Sequence, residues 1–290
     1  MTRIIQSLSE IAPRYDALFC DLWGCLHNGI APFPEAVTAL RTFRAGGGKV
    51  VLLTNAPRPR ADVAKQLDGM GVPRDAWDTI ATSGDSARLA MFQGVVGTHV
   101  YHIGESRDLT FFEPLHLIED CPLIARVPLK DAQGIVCTGP FDAHADPAVN
   151  RPEFLFAKQK GLKLLCANPD IVVDRGETRE WCAGALAALY TDMGGESLYF
   201  GKPHPPVYDL ARRRLAELGN PVPIERILAV GDGIGTDISG AVGEDIDSLF
   251  VTGGLAAAET RTTRDPDARA LEAFLAEAQL SPPFAIGHLR

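Results

Sequence analysis

The chain has no run of apolar residues long enough to cross a bilayer, and its start, "MTRIIQSLSE", lacks the apolar core of a secretory signal. Its six cysteines (Cys20, Cys25, Cys121, Cys137, Cys166 and Cys182) form no CxxC pair, which removes the usual thiol metal sites and redox motifs. Several of them lie in or at the ends of apolar runs, where buried, reduced thiols in a cytoplasm are the expected state. Positive charge is also scarce. Against 37 Asp and Glu there are 28 Lys and Arg, a formal charge of −9, so a general nucleic-acid surface is not expected. The densest basic cluster, Arg212-Arg213-Arg214, falls inside a helical pattern and reads as a solvated face. His99 and His102 stand on opposite faces of one predicted strand, which argues against a shared metal. Internal repeats and low-complexity tracts are absent too. What remains is a 290-residue chain, 46% hydrophobic and 22% charged, with enough length for a large core or two smaller ones.

Strands and helices alternate at the start. "DALFCDL" (16–22), "KVVLLTN" (49–55) and "DTIAT" (78–82) read as strands, with both faces of the first two apolar. Between and after them, helices are predicted from Pro34 to Gly46, over "RADVAKQLDGMG" and over "SGDSARLAMF". The end repeats this pattern with a helix in "HPPVYDLARRRLAELG", a strand in "RILAVGD", a helix start in "TDISGAVG" and a strand in "SLFVTGG". The middle is looser. It holds strands in "HVYHIG", "QGIVCTG" and "LKLLCANPD", a polar connection in "FDAHADPAVNRPEF" and a helix in "REWCAGALAALYTDMG". The expected fold is α/β. A Rossmann-like parallel-sheet core formed by 1–86 and 198–290 is interrupted by an inserted α/β domain at 87–197, and "SPPFAIGHLR" is expected to be a surface tail.

In such a sheet, ligands bind beyond the carboxyl ends of the strands. Asp21 ends the first strand, Thr54 and Asn55 the second, and Asp232 the strand "ILAVGD". Asp237 and Lys202 lie in nearby loops. Taken singly, Thr54, Asp237 and Lys202 read as a strand end, a helix cap and a solvated lysine. Asp232, between two glycines, is harder to assign to structure alone. Together, three carboxylates at one sheet edge need a cation between them, and hard oxygen ligands suit Mg²⁺. A lysine and a threonine beside it can hold phosphate oxygens while the Asp21 carboxylate attacks phosphorus. A dinucleotide site is the structural rival, but Gly231, Gly233 and Gly235 give G-x-G-x-G rather than G-x-G-x-x-G, late in the chain.

The stretches "DLWG", "LLTNAPR", "GKPHPPVYDLA" and "VGDGIGTD", in that order, resemble the four motifs of the haloacid dehalogenase superfamily. The insert between the second and third motifs, with its segments "CANPD" and "CAGALAAL", is similar to the cap of class IIA phosphatases of the NagD and nitrophenylphosphatase kind. The resemblance implies a Mg²⁺-dependent hydrolase of small phosphorylated metabolites. Asp21 would be the nucleophile that forms an aspartyl-phosphate. Thr54 and Asn55 would bind the phosphoryl group, and Lys202 would neutralise it and hold Asp21. Asp21, the Trp23 main-chain carbonyl, Asp232 and Asp237 would ligate the metal. Cap residues Asn168, Asp170, Glu177 and Arg179 are the specificity candidates, and a cap-mediated homodimer is within the family's range.

One position departs from the pattern. Where family phosphatases carry a second aspartate, two residues after the nucleophile, this chain has Trp23. Its carbonyl can still ligate, but indole offers no base and only a weakly acidic N–H. Losing general acid/base catalysis costs about 10²–10⁴ in rate, which slows a phosphatase without abolishing it. His27 and His204 are candidate substitutes. The alternatives are a phospho-metabolite sensor with little turnover and a dehalogenase-like, non-phosphoryl hydrolase, the latter opposed by the retained Asp232 and Asp237.

Overall fold

The computed structural model describes residues 2–115, 121–176, 178–219 and 221–290. The first part runs β1 (Arg3–Ile4), β2 (Ala17–Cys20), α1 (Pro34–Ala45), β3 (Lys49–Thr54), α2 (Arg60–Gly69), β4 (Thr79–Thr82) and α3 (Ser83–Phe92). Then follow β5 (His99–Ile103), β6 (Ala125–Arg126), β7 (Gly134–Cys137), α4 (Arg151–Gln159), β8 (Lys163–Cys166), β9 (Val172–Arg175), β10 (Thr178–Trp181), α5 (Ala183–Asp192) and β11 (Glu196–Tyr199). The last part is α6 (Pro205–Ala216), β12 (Ile227–Gly231), α7 (Ser239–Gly243), β13 (Asp247–Val251), α8 (Ala268–Ala278) and β14 (Phe284–Ile286).

Two parallel sheets carry the molecule. Seven strands from the two ends of the chain pair in the order β1-β14-β13-β12-β2-β3-β4, and five from its middle in the order β11-β8-β7-β5-β6. β2, β7 and β12 are buried along their whole length, as near-continuous apolar runs covered on both faces require. The covering helices differ: α3 is buried nearly all round, whereas α1 presents one face. α1 begins on Pro34, whose fixed φ suits a first turn, and buries Ala36, Val37, Leu40 and Phe43. β9 and β10 form a separate antiparallel hairpin.

Four expectations need correction. "SPPFAIGHLR" is no surface tail: Phe284, Ala285 and Ile286 are buried between β1 and β13, because this short apolar trio completes the sheet. The Arg212–Arg214 run is not wholly solvated either. Arg214 is buried and its Nη2 donates to Asp85 Oδ2 at 2.6 Å, since its place on α6 faces α3. The polar connection before α4 turns helical at Arg151, with Pro152 in the first turn and Phe154 and Ala157 one turn apart on the buried face. Finally, "REW" belongs to β10 rather than to the helix that follows. All six cysteines are free thiols, five of them buried.

Candidate active site

The parallel register brings the polar strand ends together. Cys20 pairs with Val230, and the Asp21 amide donates to the Val230 carbonyl at 2.8 Å, so Asp21 and Asp232 emerge side by side. On the other flank, Cys20 pairs with Leu52, which places Thr54 just beyond Asp21 along the same edge. Lys202 arrives from the loop between β11 and α6, and Asp237 from a π-helical turn over Ile234–Ile238. These residues line one cavity of about 270 Å³.

Lys202 is the hub. Only 2% exposed, it donates from Nζ to Asp21 Oδ1 and to Asp237 Oδ1, both at 2.6 Å. Burial alone would favour the neutral amine, yet Asp21, Asp237 and Asp170 hold it as an ammonium well above the usual lysine range. Desolvation pushes the Asp21 carboxyl up to about 7, although Lys202 pulls the other way. Asn55 acts as a clamp: its Oδ1 accepts from the Lys202 amide at 2.7 Å, while Nδ2 donates to the Lys202 carbonyl at 3.1 Å and to Asp170 Oδ1 at 2.8 Å. Its side-chain bonds therefore fix the lysine loop and Asp170. The Thr54 hydroxyl accepts from the Ala56 amide at 3.2 Å and lines the cavity.

The donor set suits a hard divalent cation. Of three buried carboxylates, Asp21 and Asp237 share Lys202, and Asp232 forms no ion pair among the described residues. Burial and the charges of Asp21 and Asp237 drive the Asp232 carboxyl well above its usual range. Ligand atoms of Asp21, Cys25 and Asp232 lie within 4.8 Å of one another. The Cys25 thiol is held protonated by burial and by Asp232, and soft sulfur is a poor partner for Mg²⁺. The backbone leaves room around Asp232. A Cβ on Gly24, whose φ is +72°, or on Gly254 would fall 2.0 Å from Asp232 Oδ2. Asp237 faces Lys202 through Oδ1, and its Oδ2 accepts from the Gly233 amide at 3.1 Å. Among the described residues, no backbone amide reaches the Trp23 carbonyl.

From the middle of the chain, the separate β9–β10 hairpin leans onto the loop after β2. The Gly176 amide donates to the Asn28 carbonyl at 3.1 Å, and the Arg175 guanidinium lies 5.2 Å from the centre of the Trp23 ring. Trp23 fills the space over Gly29, where a Cβ would meet its ring at 2.3 Å. The Trp23 side chain is thus a packing surface at the junction.

Neither proposed histidine lines the cavity. His27 is buried, accepts the Gly29 amide on Nδ1 at 3.0 Å, meets Trp23 edge-on and is pushed by burial down to about 4. His204 stacks on Tyr199 at the start of α6. Of the cap candidates, Asn168 and Asp170 face the cavity, with Asn168 Oδ1 accepting the Asp170 amide at 3.0 Å. Arg179 does not; it is exposed and pairs with Asp174 at 2.8 and 2.9 Å. Glu177 lies outside the described residues. Sequence reasoning missed Arg58, Arg107, Asp108 and Arg175, which also line the cavity. Only Arg58 carried a signal, its place four residues after Thr54.

Comparisons with known proteins agree on the lineage. Residues 18–117 match the model of haloacid dehalogenase-like hydrolases, and 199–276 match a second model described as HAD-hydrolase-like. The crystal structure of a haloacid dehalogenase-like hydrolase from Brucella suis 1330 is 36% identical, with 99% of this chain and 100% of that chain covered and a TM-score of 0.86. The D-glycerol 3-phosphate phosphatase of Mycobacterium tuberculosis is 27% identical over 268 residues, 89% of this chain and 69% of that protein. A solved glycerol phosphate phosphatase from M. tuberculosis, in complex with magnesium, is 24% identical, covers 87% of this chain and 71% of its own, and gives a TM-score of 0.64. The chain belongs to the haloacid dehalogenase-like hydrolases.

Proposed function

We propose that this enzyme is a Mg²⁺-dependent phosphomonoesterase acting through an aspartyl-phosphate on Asp21. The observation that carries the reading is the Lys202 ammonium held 2.6 Å from both Asp21 and Asp237, with Asp232 within reach of Asp21 in the same cavity. The named phosphatases among the relatives support the reaction class.

Asp21, Asp232, Asp237 and the Trp23 carbonyl are the residues that would hold Mg²⁺. When bound, the ion would neutralise phosphate oxygens and draw electrons from phosphorus. Lys202 and the Thr54 hydroxyl orient the phosphoryl group. An Asp21 carboxylate oxygen then bonds to phosphorus as the ester P–O bond breaks, and the leaving oxygen takes a proton from water. Water next attacks the phosphoryl-aspartate, releasing inorganic phosphate and restoring the carboxylate. Neither Trp23 nor the two histidines supplies a base for the second step, so hydrolysis of the phosphoryl-enzyme is the slow one. The five-stranded sheet and its hairpin serve as the cap, excluding water and selecting a compact substrate.

The test is phosphate release from sugar phosphates, nucleotides and 4-nitrophenyl phosphate, with Mg²⁺ or with EDTA, for the wild type and Asp21→Asn. Release that requires both the metal and Asp21 supports the reading. Release that survives either loss overturns it.

A further inference from the structure

Three guanidinium groups from three segments point into the one cavity. Arg58 comes from the loop after β3, Arg107 from the 3₁₀ segment Ser106–Phe112 and Arg175 from the end of β9. Like charges converge at a cost unless an anion sits among them. Two of the three are already paired, Arg107 with Glu105 at 2.5 Å and Arg175 with Glu180 at 2.9 Å. Arg58 differs. Its recorded partner is the neutral Gln66 side chain, whose Oε1 accepts from Nη2 at 2.7 Å, and among the described residues it forms no ion pair. Burial, Arg107 and Arg175 all weaken its hold on the charge, and Asp108 opposes them. Asp108 is itself buried and accepts the Thr138 hydroxyl at 3.2 Å. Asp174, another of the carboxylates lining the cavity, is taken by Arg179.

Resting on the phosphomonoester reading, we infer that Arg58, with Arg107 and Arg175 behind it, forms a second anion subsite, so that the preferred substrate carries a carboxylate or a second phosphate besides the phosphoryl group that is cleaved. A planar guanidinium matches either group through paired, charge-assisted hydrogen bonds. Lys202 and the metal residues take one end of the substrate and Arg58 the other, which orients it across the cavity. The two possible sources of the second anion share this chemistry and are separated by the ligand used.

The experiment measures binding to Asp21→Asn in Mg²⁺ by titration calorimetry. The ligands are glycerol 3-phosphate, 3-phosphoglycerate and propane-1,3-diol bisphosphate. The expected result is that one or both doubly anionic ligands bind about 10- to 100-fold tighter than glycerol 3-phosphate. Adding Arg58→Gln should bring that ratio close to one, and adding the exposed Arg107→Gln should lower it several-fold, a check that stands if Arg58→Gln fails to fold. A carboxylate-only or a bisphosphate-only preference identifies the second group. Equal binding of all three, or a preference that survives both substitutions, overturns the subsite. Wild-type phosphate release is followed in parallel. Turnover without discrimination removes the subsite and leaves the phosphatase, whereas discrimination without turnover does the reverse.

Discussion

Trp23 concentrates the chemistry and the packing in one side chain. It supplies no acid or base, yet it fills the space over Gly29 and meets Arg175 of the hairpin. Trp23→Asp should therefore raise turnover of alkyl phosphates, by up to about 10²–10⁴. The same change should lower stability by about 1–2 kcal/mol through lost burial and cation–π contact. Steady-state kinetics and a denaturant melt on the same variant read the two effects. His27 gives a separate prediction. Folding depresses its pKa from 6.5 to about 4, so the unfolded chain binds the extra proton first as pH falls. Its contribution is fully present above about 6.5 and is lost as pH drops to about 4, on the order of 3 kcal/mol. Urea unfolding between pH 7 and pH 4 should show this slope, flattened in His27→Asn. The pH–rate profile should keep its shape in that variant, since the ring does not line the cavity.

Among the elements, α3 and α6 are held together by the pair that the arginine run concealed. Arg214 and Asp85 meet at 2.6 Å with little solvent, and Arg214→Met leaves Asp85 only the looser 3.8 Å pair with Arg88 and the Arg60 amide. A loss of about 1–3 kcal/mol is expected, seen as a lower Tm. A Tm within a degree of wild type would show that the pair contributes nothing. This contact also shows where sequence reading runs out. Strands such as "KVVLLT" and "ILAVG" were legible because both faces are apolar, and a carboxylate just past such a run is visible as a break in pattern. Arg214, by contrast, is buried by a partner 129 positions away, which no local period encodes. The same holds for Phe284–Ile286. Three residues after two prolines resemble a tail until β1 and β13 are seen on either side. Arg58, Arg107 and Arg175 could not be grouped for the same reason.

For the molecule as a whole, the two sheets meet at a cavity lined by strand ends of the seven-stranded one and by loops and the hairpin of the middle segment. No helix among the described residues is long and apolar enough to cross a membrane. The protein is acidic overall, so the positive charge of Lys202 and Arg58, which line the cavity, is local. The four motif segments could be read in order along the chain, but their convergence depends on strand order, with β12 and β3 flanking β2. The central claim is that Asp21 becomes phosphorylated and that Trp23 leaves the second step slow. Rapid acid quench of the Mg²⁺ enzyme with 4-nitrophenyl phosphate, followed by peptide mass analysis, tests it most directly. A burst of nitrophenol should precede phosphate release, and the peptide containing Asp21 should gain one phosphoryl group, with less accumulating in Trp23→Asp. Phosphate released without a burst, and without any modified Asp21 peptide, would contradict it.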